Sequence, residues 1–211
     1  MTSPPYWQLR DYNHPEQLGQ ESLSEDYITN LVSLFDLLKI KLKDTGTCFI
    51  NLGDAYNHQA NDYFRNNKTL NKKFSRKSLL LLPYKFAIAM CERGWCLRNI
   101  IIWHKVNPMP QSIKDRFSVD FEPILFFTKA PTNYYFEQQL EPYKTKPIIK
   151  RNACKLQEIG VISAGEHDWY KCGGRNMPTT WSLTGENMTA KHYASYPKKI
   201  SSANAKSGLS R

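Results

Sequence analysis

The sequence predicts an α/β domain, an open sheet with helices packed on it, followed by a basic, loop-rich segment. Amphipathic stretches with helical spacing alternate with short apolar runs of strand length along residues 1–142. Glycines bracket several of those runs, as expected where a chain leaves a helix or enters a buried strand. Beyond about Tyr143 the periodicity dissolves into Lys, Gly, Asn and Pro with isolated aromatics.

Residues 1–13, rich in proline and aromatics, read as a constrained loop. Ser24 is placed as the N-cap of a first helix, with Glu25 and Asp26 in its first turn and Ile28, Leu31, Val32, Phe35, Leu38 and Leu42 on one face. Lys39, Lys41 and Lys43 suit the negative end of its dipole, and Gly46 follows its end. Thr47 to Leu52, between Gly46 and Gly53, reads as a buried strand. The polar stretch from Asp54 to Lys77 reads as an excursion loop. A second helix is expected over Leu82 to Glu92, with Pro83 in its first turn and Gly94 as its stop. Trp95 to Trp103 and Glu122 to Thr128 read as further strands, and Tyr134 to Phe136 as a return or edge segment.

Among the 211 residues, 41% are apolar, enough for a core, and no apolar run approaches the length needed to span a bilayer. The amino terminus lacks the basic-then-apolar pattern of a secretory signal, so a cytoplasmic location is expected. The five cysteines, Cys48, Cys91, Cys96, Cys154 and Cys172, never form a Cys-x-x-Cys pair, and they read as reduced thiols rather than a disulfide framework or zinc site. His14, His104 and His167 stand without a partner at ligand spacing, so no metal is expected. Of the net charge of +10, residues 144–211 carry +8, with 12 Lys or Arg against 4 Asp or Glu. Such a segment suits a polyanionic partner, although a solvated basic surface has the same composition.

The sharpest local signal is Thr2-Ser3-Pro4-Pro5-Tyr6-Trp7. Two consecutive prolines fix two φ angles and remove two N–H donors, leaving a stiff loop that offers carbonyl acceptors. Ser3 adds a hydroxyl and Tyr6 a flat face. Taken alone, the tetrapeptide reads more readily as a Pro-Pro turn flanked by aromatics than as a functional loop.

Ser3-Pro4-Pro5-Tyr6 resembles motif IV of the DNA amino-methyltransferases that act on N4 of cytosine, whereas the N6-adenine enzymes more often carry Asp-Pro-Pro-Tyr. The resemblance continues through Gly46 to Tyr56, through Gly94-Trp95 into Ile100 to Lys105, and through Asn107 to Arg116 with Glu122 and Phe126 to Lys129. It extends to Asn176 to Trp181 and to His192 to Pro197. It implies a Rossmann-like sheet of the S-adenosylmethionine-dependent methyltransferase type, with residues 1–142 as its catalytic part and 143–190 as a target-recognition segment.

The implied reaction transfers a methyl group from S-adenosylmethionine to N4 of a cytosine in a specific site of double-stranded DNA, in restriction-modification or phage self-protection. An exocyclic amine is a weak nucleophile because its lone pair is delocalised, and acceptors for both its hydrogens favour the pyramidal geometry of the transition state. The base must be flipped out of the duplex to be reached. Ser3 and the Pro4 carbonyl are the expected acceptors, within the catalytic set Ser3, Pro4, Pro5 and Tyr6, and Tyr6 is expected to stack on the base. Trp7, Asp115, Arg116, Lys144, Lys146, Lys150 and Arg151 are the expected residues of the base pocket and DNA surface. Trp95 and Trp103 read as core.

The family continues after His-x-Ala-x-x-Pro into Asp-Pro-Phe-x-Gly-x-Gly, whose glycines let the backbone approach S-adenosylmethionine. In this chain His192 to Pro197 runs into Lys198-Lys199-Ile200-Ser201, and no Gly-x-Gly occurs. The apolar strand that precedes motif IV in the family is likewise reduced here to Met1 and Thr2. The expectation is therefore an incomplete sheet, unknown cofactor-binding residues, and residues 191–211 as a truncated connection to a missing cofactor-binding half, with a disordered tail. The alternatives are an N6-adenine enzyme, an inactive DNA-binding fragment, and one subunit of a split methyltransferase whose missing half is carried by a second polypeptide.

Overall fold

The structure is a computed structural model that describes residues 1–57, 71, 73–141 and 175–183. Its elements run α1 (Ser24–Lys41), β1 (Thr47–Asn51), α2 (Leu82–Glu92), β2 (Cys96–Lys105), β3 (Phe121–Thr128), β4 (Leu140–Glu141), β5 (Arg175–Asn176) and β6 (Thr180–Leu183). The chain divides into two compact units, residues 1–136 with 179–211, and residues 137–178.

In the larger unit four strands form one sheet in the order β1-β3-β2-β6. β3 is antiparallel to both β1 and β2, which makes those two parallel to each other, and β6 is parallel to β2. The central place of β3 follows from its sequence: Pro123 to Phe127 is an unbroken apolar run buried on both faces. One face, carrying Cys48, Ile50, Leu125 and Phe127, packs under α1 and α2 around Tyr27, Leu31, Phe35, Phe86 and Met90. The other face gathers Phe49, Ile101, Trp103, Ile124 and Phe126, with Trp181 and Leu183 of β6 against them. Phe49 and Phe126, paired in register, stack with ring centroids 4.3 Å apart. Trp95 and Trp103 are core residues, as expected. Cys48 is buried, and burial pushes its thiol up to about 11, so it is an inert filler.

Three sequence expectations change. Ser24 does not cap α1: the cap position is Leu23, and the Ser24 hydroxyl is buried inside the first turn, where it donates to Glu25 Oε2 at 2.9 Å and accepts from Asn71 Nδ2 at 2.8 Å. Tertiary partners have taken the hydroxyl from the helix end. Tyr134 to Phe136 forms no strand; Tyr134 and Phe136 cover the ring of Phe126, and the Tyr135 N–H donates to the Thr45 carbonyl at 2.8 Å. Thr180 to Leu183, expected in the basic segment, is an edge strand of the main sheet, because Trp181 and Leu183 complete the second apolar face.

In the smaller unit, β4 and β5 pair antiparallel, joined by an Arg175–Glu141 ion pair and by Met177 N–H to the Gln139 carbonyl at 2.9 Å. No helix among the described residues is long and apolar enough to cross a membrane.

The start of α2 depends on a residue outside the helix. Its cap position, Leu81, sits in the left-handed region at φ 58 and provides no side-chain acceptor. Asp54 Oδ1 takes that role, accepting from Leu82 N–H at 3.0 Å and from Ala55 N–H at 2.8 Å. Asp54→Ala should therefore cost about 1 kcal/mol in urea unfolding, the usual size of a lost cap, while Asp54→Asn keeps an acceptor oxygen and loses less. Burial, partly offset by those N–H donors, holds the Asp54 carboxyl above its ordinary value. The folded chain thus binds this proton more readily than the unfolded chain, and the contribution is full at acid pH and fades as pH rises through the folded pKa. Wild type should gain on Asp54→Asn as pH falls through the carboxylate range; a pH-independent difference would contradict the raised pKa.

Candidate active site at the ends of β1 and β2

The parallel strands β1 and β2 end on the same edge of the sheet, with Asn51 and Lys105 as their last residues, and antiparallel β3 begins there, with Glu122 as its second residue. The amino-terminal loop reaches the same edge. Thr2 forms a parallel bridge with Ile50, donating its N–H to the Phe49 carbonyl at 2.9 Å and accepting from Asn51 N–H at 3.0 Å. This bridge ties the start of the loop to the end of β1. In open α/β sheets the carboxyl ends of parallel strands are where ligands bind, because the loops diverge there.

The loop that follows is fixed at nearly every residue. Pro4 is buried, and the Pro5 carbonyl accepts from Tyr27 Oη at 2.8 Å. Trp7, 4% exposed, donates its indole N–H to the Glu21 carbonyl at 2.9 Å. Gly19, at φ +93, lies against the loop so closely that a Cβ would stand 3.0 Å from the Tyr6 carbonyl. Gly53 serves the Tyr6 ring in the same way: a Cβ there would lie 2.6 Å from its Cε2.

Tyr6 ends in a polar network. Its hydroxyl donates to Glu122 Oε2 at 2.7 Å and accepts from Asn51 Nδ2 at 2.8 Å. Asn51 Nδ2 also donates to Glu122 Oε2 at 2.7 Å, and Lys105 Nζ donates to Glu122 Oε1 at 2.5 Å. Burial first, and then the Glu122 carboxylate, push the Tyr6 phenol well above its ordinary pKa, so it remains a neutral donor. Among the described residues Asn51 Oδ1 is buried without a hydrogen-bond partner. The Ser3 hydroxyl lies 3.5 Å from Tyr6 Oη, oriented as donor, which leaves its lone pairs free. Tyr27 occupies the Pro5 carbonyl and Leu9 N–H the Tyr6 carbonyl, which leaves the Ser3 and Pro4 carbonyls as the acceptors at the start of the loop with no partner among the described residues.

The structure brings Ser3, Pro4, Pro5 and Tyr6 together with Glu122, and adds Asn51 and Lys105. Their one sequence signal is that each polar residue borders an apolar strand run. Trp7, expected in the base pocket, is buried in the core cluster that also holds Tyr27 and Leu31. Asp115 pairs with Lys77 at 2.6 Å, and the Arg116 guanidinium lies 3.8 Å over the Tyr56 ring. Lys144, Lys146, Lys150 and Arg151 lie outside the described residues. Among those residues no group of three or more His, Cys, Asp or Glu is placed to hold a metal.

Residues 1–206 match a family model described as DNA methylase, N6_N4_Mtase. The type II methyltransferase M.SfiI of Streptomyces fimbriatus is 39% identical over 178 residues, 81% of this chain and 41% of its own length. M.MwoI of Methanothermobacter wolfeii is 42% identical over 150 residues, 71% of this chain and 19% of its own. M.Cfr9I of Citrobacter freundii is 30% identical over 211 residues, 95% of this chain and 62% of its own, so the chain spans less than two thirds of each of these relatives. In structure the chain is similar to PvuII DNA methyltransferase (cytosine-N4-specific), with TM-score 0.58 at 16% identity, covering 100% of this chain and 62% of that one. It is also similar to TTHA0409 of Thermus thermophilus, a putative DNA modification methylase solved with S-adenosylmethionine, with TM-score 0.52 at 20% identity, covering 97% and 63%. At these identities the likeness shows the fold.

The weight of the Glu122 network is measurable. Glu122→Gln leaves the Lys105 ammonium without its counter-charge and should cost about 1.5–3 kcal/mol in urea unfolding, the range for hydrogen bonds to charged groups. Combined with Lys105→Met in a double-mutant cycle, it should show a coupling of at least about 0.5 kcal/mol. Strict additivity would mean that the contact between Lys105 and Glu122 contributes nothing.

Proposed function

The chain belongs to the DNA methylase family N6_N4_Mtase, and from that premise we propose that it acts in methylating N4 of a cytosine in double-stranded DNA, with S-adenosylmethionine as donor. The observation that carries this is the fixed Ser3-Pro4-Pro5-Tyr6 loop, with its two free acceptors at the ligand-binding edge of the sheet. S-adenosylmethionine supplies an electrophilic methyl group. The described residues do not by themselves make a site for it, since the sequence has no Gly-x-Gly turn to admit an adenosine and its ribose. The residues of this chain act on the amine.

The target amine places one N–H on the Ser3 hydroxyl and the other on the Pro4 carbonyl, which draws the nitrogen toward the pyramidal, nucleophilic geometry. These acceptors stabilise positive charge as it develops on the nitrogen, and because Thr2, Tyr27 and Gly19 fix the loop beforehand, little reorganisation is needed. Tyr6 offers its ring to the extruded base while its hydroxyl stays tied to Asn51 and Glu122. Lys144, Lys146, Lys150 and Arg151 lie in the basic segment and would contact phosphates, making binding salt-dependent. Residues 143–190 would supply the target recognition of a restriction-modification enzyme. Serine rather than aspartate ahead of Pro4 favours cytosine N4 over adenine N6, and a fold relative named as cytosine-N4-specific points the same way.

Incubating the chain with methyl-labelled S-adenosylmethionine and unmethylated DNA, then digesting the DNA to nucleosides, tests this directly. The expected product is N4-methyldeoxycytidine, with the rate reduced about 10²-fold by Ser3→Ala, the scale for losing one preorganised transition-state contact, and lost in Tyr6→Ala. N6-methyldeoxyadenosine would move the target to adenine. Label on cytosine C5, or a Ser3→Ala variant as fast as wild type, would overturn the assignment of Ser3 and Pro4; no label on DNA would overturn methylation by this chain without a further cofactor-binding part.

A further inference from the structure

The connection between β2 and β3, residues 106–120, rises from the edge that holds Asn51, Lys105 and Glu122, and Lys105 N–H donates to the Asp120 carbonyl at 2.7 Å at its base. Midway it is held down twice. Asp115 is paired with Lys77, and the Arg116 guanidinium lies 3.8 Å over Tyr56, five residues beyond Asn51 in the loop that leaves β1. Directly after these anchors stands Phe117, 96% exposed. A scattered exposed apolar residue is ordinary on any surface. Phe117 differs in that the side chains of Asp115 and Arg116 just before it are both engaged, it lies five residues from Glu122 of the candidate site, and Lys114 and Arg116 precede it. Lys77 neutralises Asp115, which leaves the exposed Lys114 and the guanidinium of Arg116 as the local charge.

From this placement we infer that Phe117 is a wedge that enters the duplex and fills the space left when the target base is extruded toward Tyr6, with Lys114 and Arg116 against the flanking phosphates. The inference rests on the DNA methylase reading and deepens it. A duplex that loses a base from its stack exposes the faces of both neighbouring bases, and an aromatic ring held clear of the protein surface restores that stacking. The anchors matter because a ring on a free loop would lose the freedom of the whole loop on insertion, whereas a loop already held at Asp115 and Arg116 has less to lose. Stacking by an uncharged ring releases no counterions, so it strengthens binding without changing its salt dependence.

The test is fluorescence anisotropy of the full chain on a labelled duplex with one central abasic site, and on the same duplex intact. Wild type should prefer the abasic duplex by about fivefold to a hundredfold, the range for one aromatic–base stack. Phe117→Ala should lose most of that preference, Phe117→Trp should keep it, and the salt slope should be the same in all three. Because the side chain is almost wholly exposed, both variants should keep the wild-type circular dichroism and unfolding midpoint. A preference that survives Phe117→Ala would overturn the wedge and leave the methylase reading standing. Failure of wild type to bind either duplex would overturn both.

Discussion

The candidate site depends on one carboxylate. Glu122 accepts from Tyr6, Asn51 and Lys105 at once, so a single side chain at the start of β3 ties together the ends of β1 and β2 and the loop that follows Thr2. An ionised acid so enclosed would be costly without partners, and here the Lys105 ammonium and two neutral donors meet it. The antiparallel insertion of β3 between two parallel strands makes this geometry available: it brings the first residues of one strand beside the last residues of two others.

The loop is then positioned by shape as much as by polarity. Gly53 and Gly19 are small where the Tyr6 ring and its carbonyl approach, and Tyr27 of α1 reaches under the loop to hold the Pro5 carbonyl. The helix layer therefore takes part in the site, since the face that buries Leu31 and Phe35 also delivers the Tyr27 hydroxyl. A core substitution near Tyr27 would be felt at Pro5 through one hydrogen bond.

Much of this architecture was legible in the sequence, and the reason is physical. α1, β1, α2, β2 and β3 are marked by periodicity, glycine brackets and apolar runs, all of which act within a few residues of chain. What escaped was tertiary. Ser24 has the chemistry of a cap, but Asn71 claims it across 47 residues. Tyr134 and Phe136 have strand-like composition but are used as a lid over Phe126. β6 is too short to show a period, and only the apolar face it completes explains it. In the site, the Ser-Pro-Pro-Tyr loop was visible as a string, whereas the Asn51–Glu122 contact spans 71 residues and leaves no local trace. Trp7 was misplaced because an aromatic beside a catalytic loop serves equally as a surface or as an anchor, and burial decides which.

The charge distribution fits a division of labour. Inside the site the formal charges cancel: Lys105 offsets Glu122, the Tyr6 phenol is held neutral, and the acceptors that the proposed function gives to the amine are a hydroxyl and a carbonyl. A neutral cradle suits a substrate that begins neutral and becomes cationic only at the transition state, because dipoles fixed in advance bind the developing charge more strongly than they bind the starting base. A free carboxylate in the place of Ser3 would attract cations in the ground state as well. The net positive charge is carried instead by the carboxy-terminal third, +8 over residues 144–211, and on the proposed function it would address phosphates, which are charged throughout the reaction. The proposed function thus assigns affinity for the polymer and stabilisation of the reacting nitrogen to different residues, and on that reading each can change without weakening the other.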